Sequence, residues 1–159
     1  MNWREFERAA PEIAESGRLR FEATHVALLG TVQRNGWPRI SPVEPYFVGD
    51  DLLFGLLKSS GKARDLADNP LCTVHSSVSD VNGSEGEFKL SGLAEVVTDQ
   101  TLLAADPEAW WNASNASDAT VVAVDIRRAV WVAWDIAHAT MRITAWTDQQ
   151  GTIDEARRY

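Results

Sequence analysis

The stretch Leu52–His75, LLFGLLKSSGKARDLADNPLCTVH, decides how the rest of the chain is read. It begins as an apolar strand and passes through Lys58-Ser59-Ser60-Gly61-Lys62 into a short helix. A second strand follows. Ser59 or Ser60 can cap that helix, because a short hydroxyl satisfies a free N–H of the first turn. Ala63, Leu66 and Ala67 recur at helical spacing, and Asn69-Pro70 stops the helix. Free N–H groups, hydroxyls and lysines thus converge at the positive end of a helix, which suits a phosphate. An ordinary capped helix with solvated lysines explains the segment equally well. No G-x-x-x-x-G-K-[ST] is present, so this is not a Walker loop.

Outward from this stretch, the pattern is mostly β. Before it, HVALLGTVQ reads as a strand, Arg34-Asn35-Gly36 as a hairpin turn and PRISPVEPYFV as a second strand. Pro38, Pro42 and Pro45 remove ladder donors, so that strand is expected at an edge or irregular. Three hairpin-linked strands before a lone helix predict an antiparallel barrel or sandwich. No G-x-G-x-x-G follows a strand, which argues against a dinucleotide fold. Farther upstream, Trp3, Phe6, Ala10, Ile13 and Ala14 predict an amphipathic helix over 2–17, with Pro11 as a kink or break and Gly17 as its end. Downstream, residues 77–86 read as a polar turn. Asp80, Asn82 and Ser84 resemble the opening of a calcium loop, but Glu85 and Ser91 stand where glycine and glutamate are required. EFKLSGLAEVV is a strand with a bulge permitted at Gly92. Residues 99–118 predict short helices and a loop, with Trp110-Trp111 packed on the barrel. TVVAVDI, AVWVAWDI and ATMRITAW predict three more strands, and a polar, partly disordered tail occupies 147–159.

Composition narrows the function. The 159 residues are 45% hydrophobic and 24% charged, and suit one domain spanning 1–159, with a barrel core over 23–146. A net charge of −8 disfavours nucleic acid and anionic membranes as partners. Cys72, the single cysteine, excludes an internal disulfide and a cysteine zinc cluster, and reads as a buried inert thiol. With no leader-like or bilayer-length apolar run, a cytoplasmic location is expected, and the sequons at Asn82, Asn112 and Asn115 are chance matches. The histidines, His25, His75 and His138, lie too far apart for a zinc motif, and no G-x-S-x-G elbow exists. A phosphate clamp without an acid–base set fits a protein whose cofactor carries the chemistry.

The order of these pieces resembles the pyridoxamine 5′-phosphate oxidase-like, FMN-binding split-barrel family. The residues that carry the resemblance are Gly36-Trp37-Pro38-Arg39-Ile40-Ser41-Pro42, then Ser60-Gly61-Lys62-Ala63-Arg64-Asp65-Leu66, then Asn69-Pro70, then Gly92, Ala94 and Glu95. They span 23–98, with a looser fit in the C-terminal strands. The resemblance implies a mainly β protein with flanking helices, built on a six-stranded antiparallel split β-barrel. It further implies a homodimer with FMN at two sites between subunits. The flavin phosphate would be held by Arg39, Ser60 and Lys62, with Ile40, Ser41 and Gly61 beside them. Gly55, Leu56 and Leu57 would run along the ring, and Trp131 or Trp134 would touch it. The implied activity is a flavin-dependent oxidoreductase working through hydride transfer at flavin N5. The deazaflavin coenzyme F420 is the alternative cofactor, and a non-catalytic flavin- or haem-binding protein, with His25, His75 or His138 as ligand, is the alternative role. Two departures stand out. Gly61 replaces the basic residue usual between the serine and the lysine. The C-terminal R-x-H that grips pyridoxal substrates is missing at Met141-Arg142-Ile143, which makes vitamin B6 oxidation doubtful.

Overall fold

The computed structural model describes residues 1–113 and 118–158. Nine strands form one antiparallel sheet: β1 (Ala27–Val32), β2 (Pro38–Val43), β3 (Pro45–Val48), β4 (Asp51–Leu57), β5 (Leu71–Ser76), β6 (Glu87–Val96), β7 (Ala119–Asp135), β8 (Thr140–Thr147) and β9 (Gly151–Arg158). The strand path is β2-β1-β5-β6-β7-β4-β3, with β8 and β9 continuing from β7. β2 and β3 lie at the two ends of this path, yet only Glu44 separates them in the chain. One proline-rich, bent strand therefore carries the sheet round on itself. Counted as one strand, β2 and β3 join β1, β4, β5, β6 and β7 as the six strands of the barrel, and β8–β9 is a ribbon outside it. The protein is a mainly β split barrel with flanking helices.

Two helices cover one side of the barrel. α1 (Trp3–Ala9) starts at Asn2, whose side chain accepts from the Glu5 amide while the Glu5 carboxylate accepts from the Asn2 amide. This reciprocal cap satisfies two free donors. α2 (Pro11–Thr24) begins directly at Pro11, which suits a first helical position because no N–H is needed there. Pro11 thus divides the expected 2–17 helix in two. Gly17 does not end it. It lies inside α2 and lets the helix approach the barrel: a Cβ there would come within 2.6 Å of the Phe88 ring. Trp3, Phe6, Ile13, Phe21 and Phe88 are all essentially buried, and together they fill the space between helices and sheet.

A second, smaller core lies on the other face of β4. Strand alternation sends Leu52, Phe54 and Leu56 into the main core, while Leu53 packs outward with Val48, Val121, Ala109 and Trp111. α4 (Gln100–Ala104) and a 3₁₀ turn at Trp110–Asn112 supply the cover, as expected for Trp110-Trp111. The sequon at Asn115 falls within 114–117, which lie outside the described residues.

Two further expectations are corrected. TVVAVDI and AVWVAWDI form one 17-residue strand, β7, because a one-residue bulge keeps it continuous. The register passes from Ser91↔Arg128 to Gly92↔Ile126, so Arg127 has no opposite residue. The tail from 151 is strand β9, hydrogen-bonded along β8 although exposed throughout. Its hairpin is turned by Gly151 at φ 71° and by the Gln150 amide donating to the Thr147 hydroxyl. The polar loop 77–86 spends its oxygens internally. The Asp80 carboxylate accepts from the Asn82 and Ser84 amides, and Glu85 accepts from the Ser79 and Asp80 amides and from Arg20.

Candidate functional site

α3 (Gly61–Asp68) is the only α-helix between β4 and β5, and its start is where the sequence placed a phosphate clamp. Ser60 is its N-cap: the hydroxyl accepts from the Ala63 amide at 3.3 Å. That leaves the first amides of the helix without intrahelical acceptors, at the positive end of the dipole. Arg64 folds back, its guanidinium donating to the Ser59 carbonyl at 2.6 Å, and so braces the turn.

Arg39 reaches this helix start from β2. Its Nε donates to Asp65 Oδ2 at 2.7 Å, and its Nη2 donates to Gln33 Oε1 at 3.1 Å. The same Asp65 oxygen accepts from the buried Thr31 hydroxyl at 2.8 Å. The Arg39 hydrogen bond is the main reason that the Asp65 carboxyl is held below its ordinary range; Thr31 assists, and desolvation opposes both. Gly61 lies directly under the guanidinium: a Cβ there would come 2.7 Å from Cζ and 2.9 Å from Nη1. Lys62 is half-buried beside it. Among the described residues, the ion pairs of this corner are Arg34–Asp68 and Arg39–Asp65, neither of which involves Lys62.

A cavity of about 410 Å³ opens next to Lys62. Val26, Val43, Leu57 and Trp110 give it apolar walls, and Glu44 stands at its rim with Lys62. Glu44 Oε2 accepts from the Tyr46 hydroxyl at 3.0 Å. Burial, and next the Glu44 carboxylate, push the Tyr46 phenol above its ordinary value. A larger groove of about 550 Å³ lies elsewhere, over Gly30, Leu71, Thr73 and Ser91. Arg127 is the one charged group lining it, so it lacks a phosphate-binding set.

The residues named from the sequence therefore divide. Arg39, Ser60, Gly61 and Lys62 converge at the start of α3, and Ser41 shares the Arg39 side of β2 by alternation. Leu57 lines the cavity. Gly55 lines it too, but its missing side chain serves Trp110 and Trp111, since a Cβ would lie 2.7 and 2.6 Å from their rings. Ile40 points the opposite way from Arg39 and is exposed, and Leu56 is 1% exposed inside the main core. Trp131 packs against that core between Phe88 and α2, with Gly86 under its ring, and does not line the cavity. Sequence reasoning missed Thr31, Gln33 and Trp110 as site residues. Asp65 was read only as part of a motif. The signal for Thr31 was its place on β1 directly opposite Arg39.

No family model matches the sequence, and no curated protein matches it. Solved structures do match in three dimensions. A pyridoxamine 5′-phosphate oxidase-related, FMN binding protein from Nostoc punctiforme shares 15% identity over 94% of this chain and 96% of its own, with a TM-score of 0.63. The fold is the pyridoxamine 5′-phosphate oxidase-like split barrel. Other split barrels agree. A heme binding protein from Mycobacterium smegmatis shares 17% identity over 92% of this chain and 88% of its own, with a TM-score of 0.65. PhzG from Burkholderia lata, in complex with tetrahydrophenazine-1-carboxylic acid, shares 12% over 94% and 89%, with a TM-score of 0.63. In this split barrel, the start of α3 and the adjoining cavity form the one cluster of unspent phosphate donors found at a cavity among the described residues.

Proposed function

We propose that this chain binds FMN and acts as a flavin-dependent oxidoreductase. The observation that carries the reading is the convergence of Arg39, Ser60 and Lys62 on one helix start beside an apolar cavity. The donor set fits a phosphate: two cations, free amides and a helix dipole face one point. The apolar walls, with Trp110, fit a planar heteroaromatic ring. Hydride transfer through N5 is the chemistry that FMN supplies when bound. The chain's own part is to anchor the phosphate, to wall the ring from water with Val26, Val43 and Leu57, and to hold the Glu44–Tyr46 pair at the rim. Coenzyme F420 is the alternative occupant of the same groove. The haem reading is not favoured by the histidines. The His75 ring bonds the Ser76 carbonyl, the His138 ring bonds Asp135, and none of the three lines the cavity.

The working form in this reading is a cytoplasmic homodimer with its sites at the subunit interface. One face of the sheet carries Leu28, Ile40 and Leu71 well exposed, and the row Pro42–Leu28–His75–Lys89–Val130–Ala145–Ile153 runs across seven strands. Five of the seven residues in that row are apolar, with His75 and Lys89 between them, and a largely apolar face of that extent suits a second copy. Light scattering at micromolar concentration should give twice the monomer mass.

The test of the site uses Lys62→Ala. Removing one charge-assisted contact should weaken FMN binding by about ten- to a hundredfold. Riboflavin, which lacks the phosphate, should bind both proteins alike. Flavin fluorescence quenching measures both affinities. FMN binding equal to wild type, or an equal loss of riboflavin, would refute the phosphate role.

A further inference from the structure

We infer that Gly61 and Asp65 are positioning residues that seat Arg39 across the start of α3, so that β2 supplies a second cation beside Lys62 at the place where 61 carries no basic side chain. This rests on the phosphate reading above and says how the site achieves it. Three observations support it. The guanidinium occupies the volume that any side chain at 61 would need, with Cζ 2.7 Å from the virtual Cβ. Buried Asp65 fixes its Nε from one side at 2.7 Å, and Gln33 fixes Nη2 at 3.1 Å from the other. Asp65 is itself oriented by Thr31. What remains is Nη1, the guanidinium nitrogen nearest to where a Gly61 Cβ would stand, at 2.9 Å, over the first helical residue and beside Lys62.

Arg39 is therefore preorganised. A free arginine loses rotamer entropy when it grips an anion, whereas one already clamped has lost it on folding. Glycine at the helix start would ordinarily be a weakness, since alanine favours the helix. Here a larger residue shifts the guanidinium from its seat and loosens its bond to Asp65. The missing basic residue at 61 and the placement of Arg39 are one arrangement.

Gly61→Ala tests this, because the two explanations of Gly61 give opposite signs. As a seat for Arg39, its replacement should lower FMN affinity by about tenfold or more. Riboflavin affinity should be unchanged, and thermal stability should not rise, because alanine's gain in the helix is offset by the disturbed Arg39–Asp65 pair. In an Arg39→Ala background, Gly61→Ala should have no further effect on FMN, because the seat is then empty. Asp65→Ala should cause the same selective loss, and Asp65→Asn, which keeps an acceptor for Nε, should restore part of it. If wild type prefers FMN over riboflavin and Gly61→Ala keeps that preference, this inference alone is overturned. If wild type shows no such preference, the phosphate reading fails and the inference with it.

Discussion

Gly55→Ala sets two accounts of one residue against each other. A reading from sequence lays the flavin ring along Gly55, in which case a methyl group costs ligand affinity and little stability. The structure puts two indoles there instead. A Cβ at 55 would stand 2.6 Å from Trp111 Cε3 and 2.7 Å from Trp110 Cε2 and Nε1. Carbon atoms prefer about 3.5–4.0 Å, so roughly 1 Å of relief is needed on each ring. Trp111 cannot give it freely, since its indole N–H donates to the Leu103 carbonyl at 3.1 Å and its ring meets Tyr46 edge-on at 4.7 Å. Forced overpacking of this kind costs about 1–3 kcal/mol. The alanine recovers about 0.4–1 kcal/mol by stiffening the unfolded chain. The balance is centred on about 1.3 kcal/mol of destabilisation, equivalent to a fall in Tm of about 3–5 °C for a domain of this size. Urea unfolding followed by tryptophan fluorescence and scanning calorimetry reads it. In a Trp110→Ala background the cost should shrink, because one of the two rings is gone. Wild-type or greater stability for Gly55→Ala would refute the argument, and an accompanying loss of flavin affinity would return Gly55 to the ligand.

Two other perturbations test the electrostatics. The Asp65 carboxyl is held below its ordinary range, so its ion pair stabilises the fold above about pH 4, the usual carboxylate value, and is lost as pH falls through the lower folded value. Wild type should accordingly be more stable than Asp65→Asn at pH 7, with the difference narrowing toward pH 2; urea midpoints across that range check it, and a constant difference would exclude the ion pair as its source. Burial pushes the Cys72 thiol up to about 12, so the folded protein should resist iodoacetamide at pH 7.5 and react once unfolded in urea, as mass spectrometry would show.

The parts of the fold that a linear reading reached are those written in local chemistry. Ser60 and Asn69-Pro70 mark the bounds of α3, and the proline spacing of β2–β3 marks a bent strand, because caps and missing amides act within a few residues. What escaped depends on a distant neighbour. Gly17 looks like a helix end until Phe88, 71 residues on in sequence, is seen to need its space. β7 looks like two strands because its buried positions change phase. Val122, Val124 and Ile126 face the main core before Arg127-Arg128, and Ala129 and Trp131 after it. At the site, Arg39 and Lys62 were visible as cations in a motif. Asp65, Thr31 and Trp110 were not visible as their partners, since strand register and the path of the 99–113 segment bring them together. The family resemblance brings Leu56 and Ile40 to the site along with their neighbours, and alternation turns each of them away.

The phase change in β7 also limits how this chain can vary in length. On either side of Arg127 the inward residues differ in parity, even-numbered before and odd-numbered after. Deleting that single residue would remove the bulge and leave Ile126, Ala129 and Trp131 on the inward face of a regular strand, whereas losing a residue elsewhere in β7 would put one part of the strand out of phase with the other. Gly92 on the facing strand marks the close approach at the bulge, since a Cβ there would come within 2.1 Å of the Asp125 carbonyl oxygen. Loops at 77–86 and 148–150 can lengthen or shorten without altering any inward face. A one-residue gap at Arg127 in an alignment of this chain to other split barrels therefore keeps every later side chain of β7 on its own face, while a gap elsewhere in the strand would misplace them.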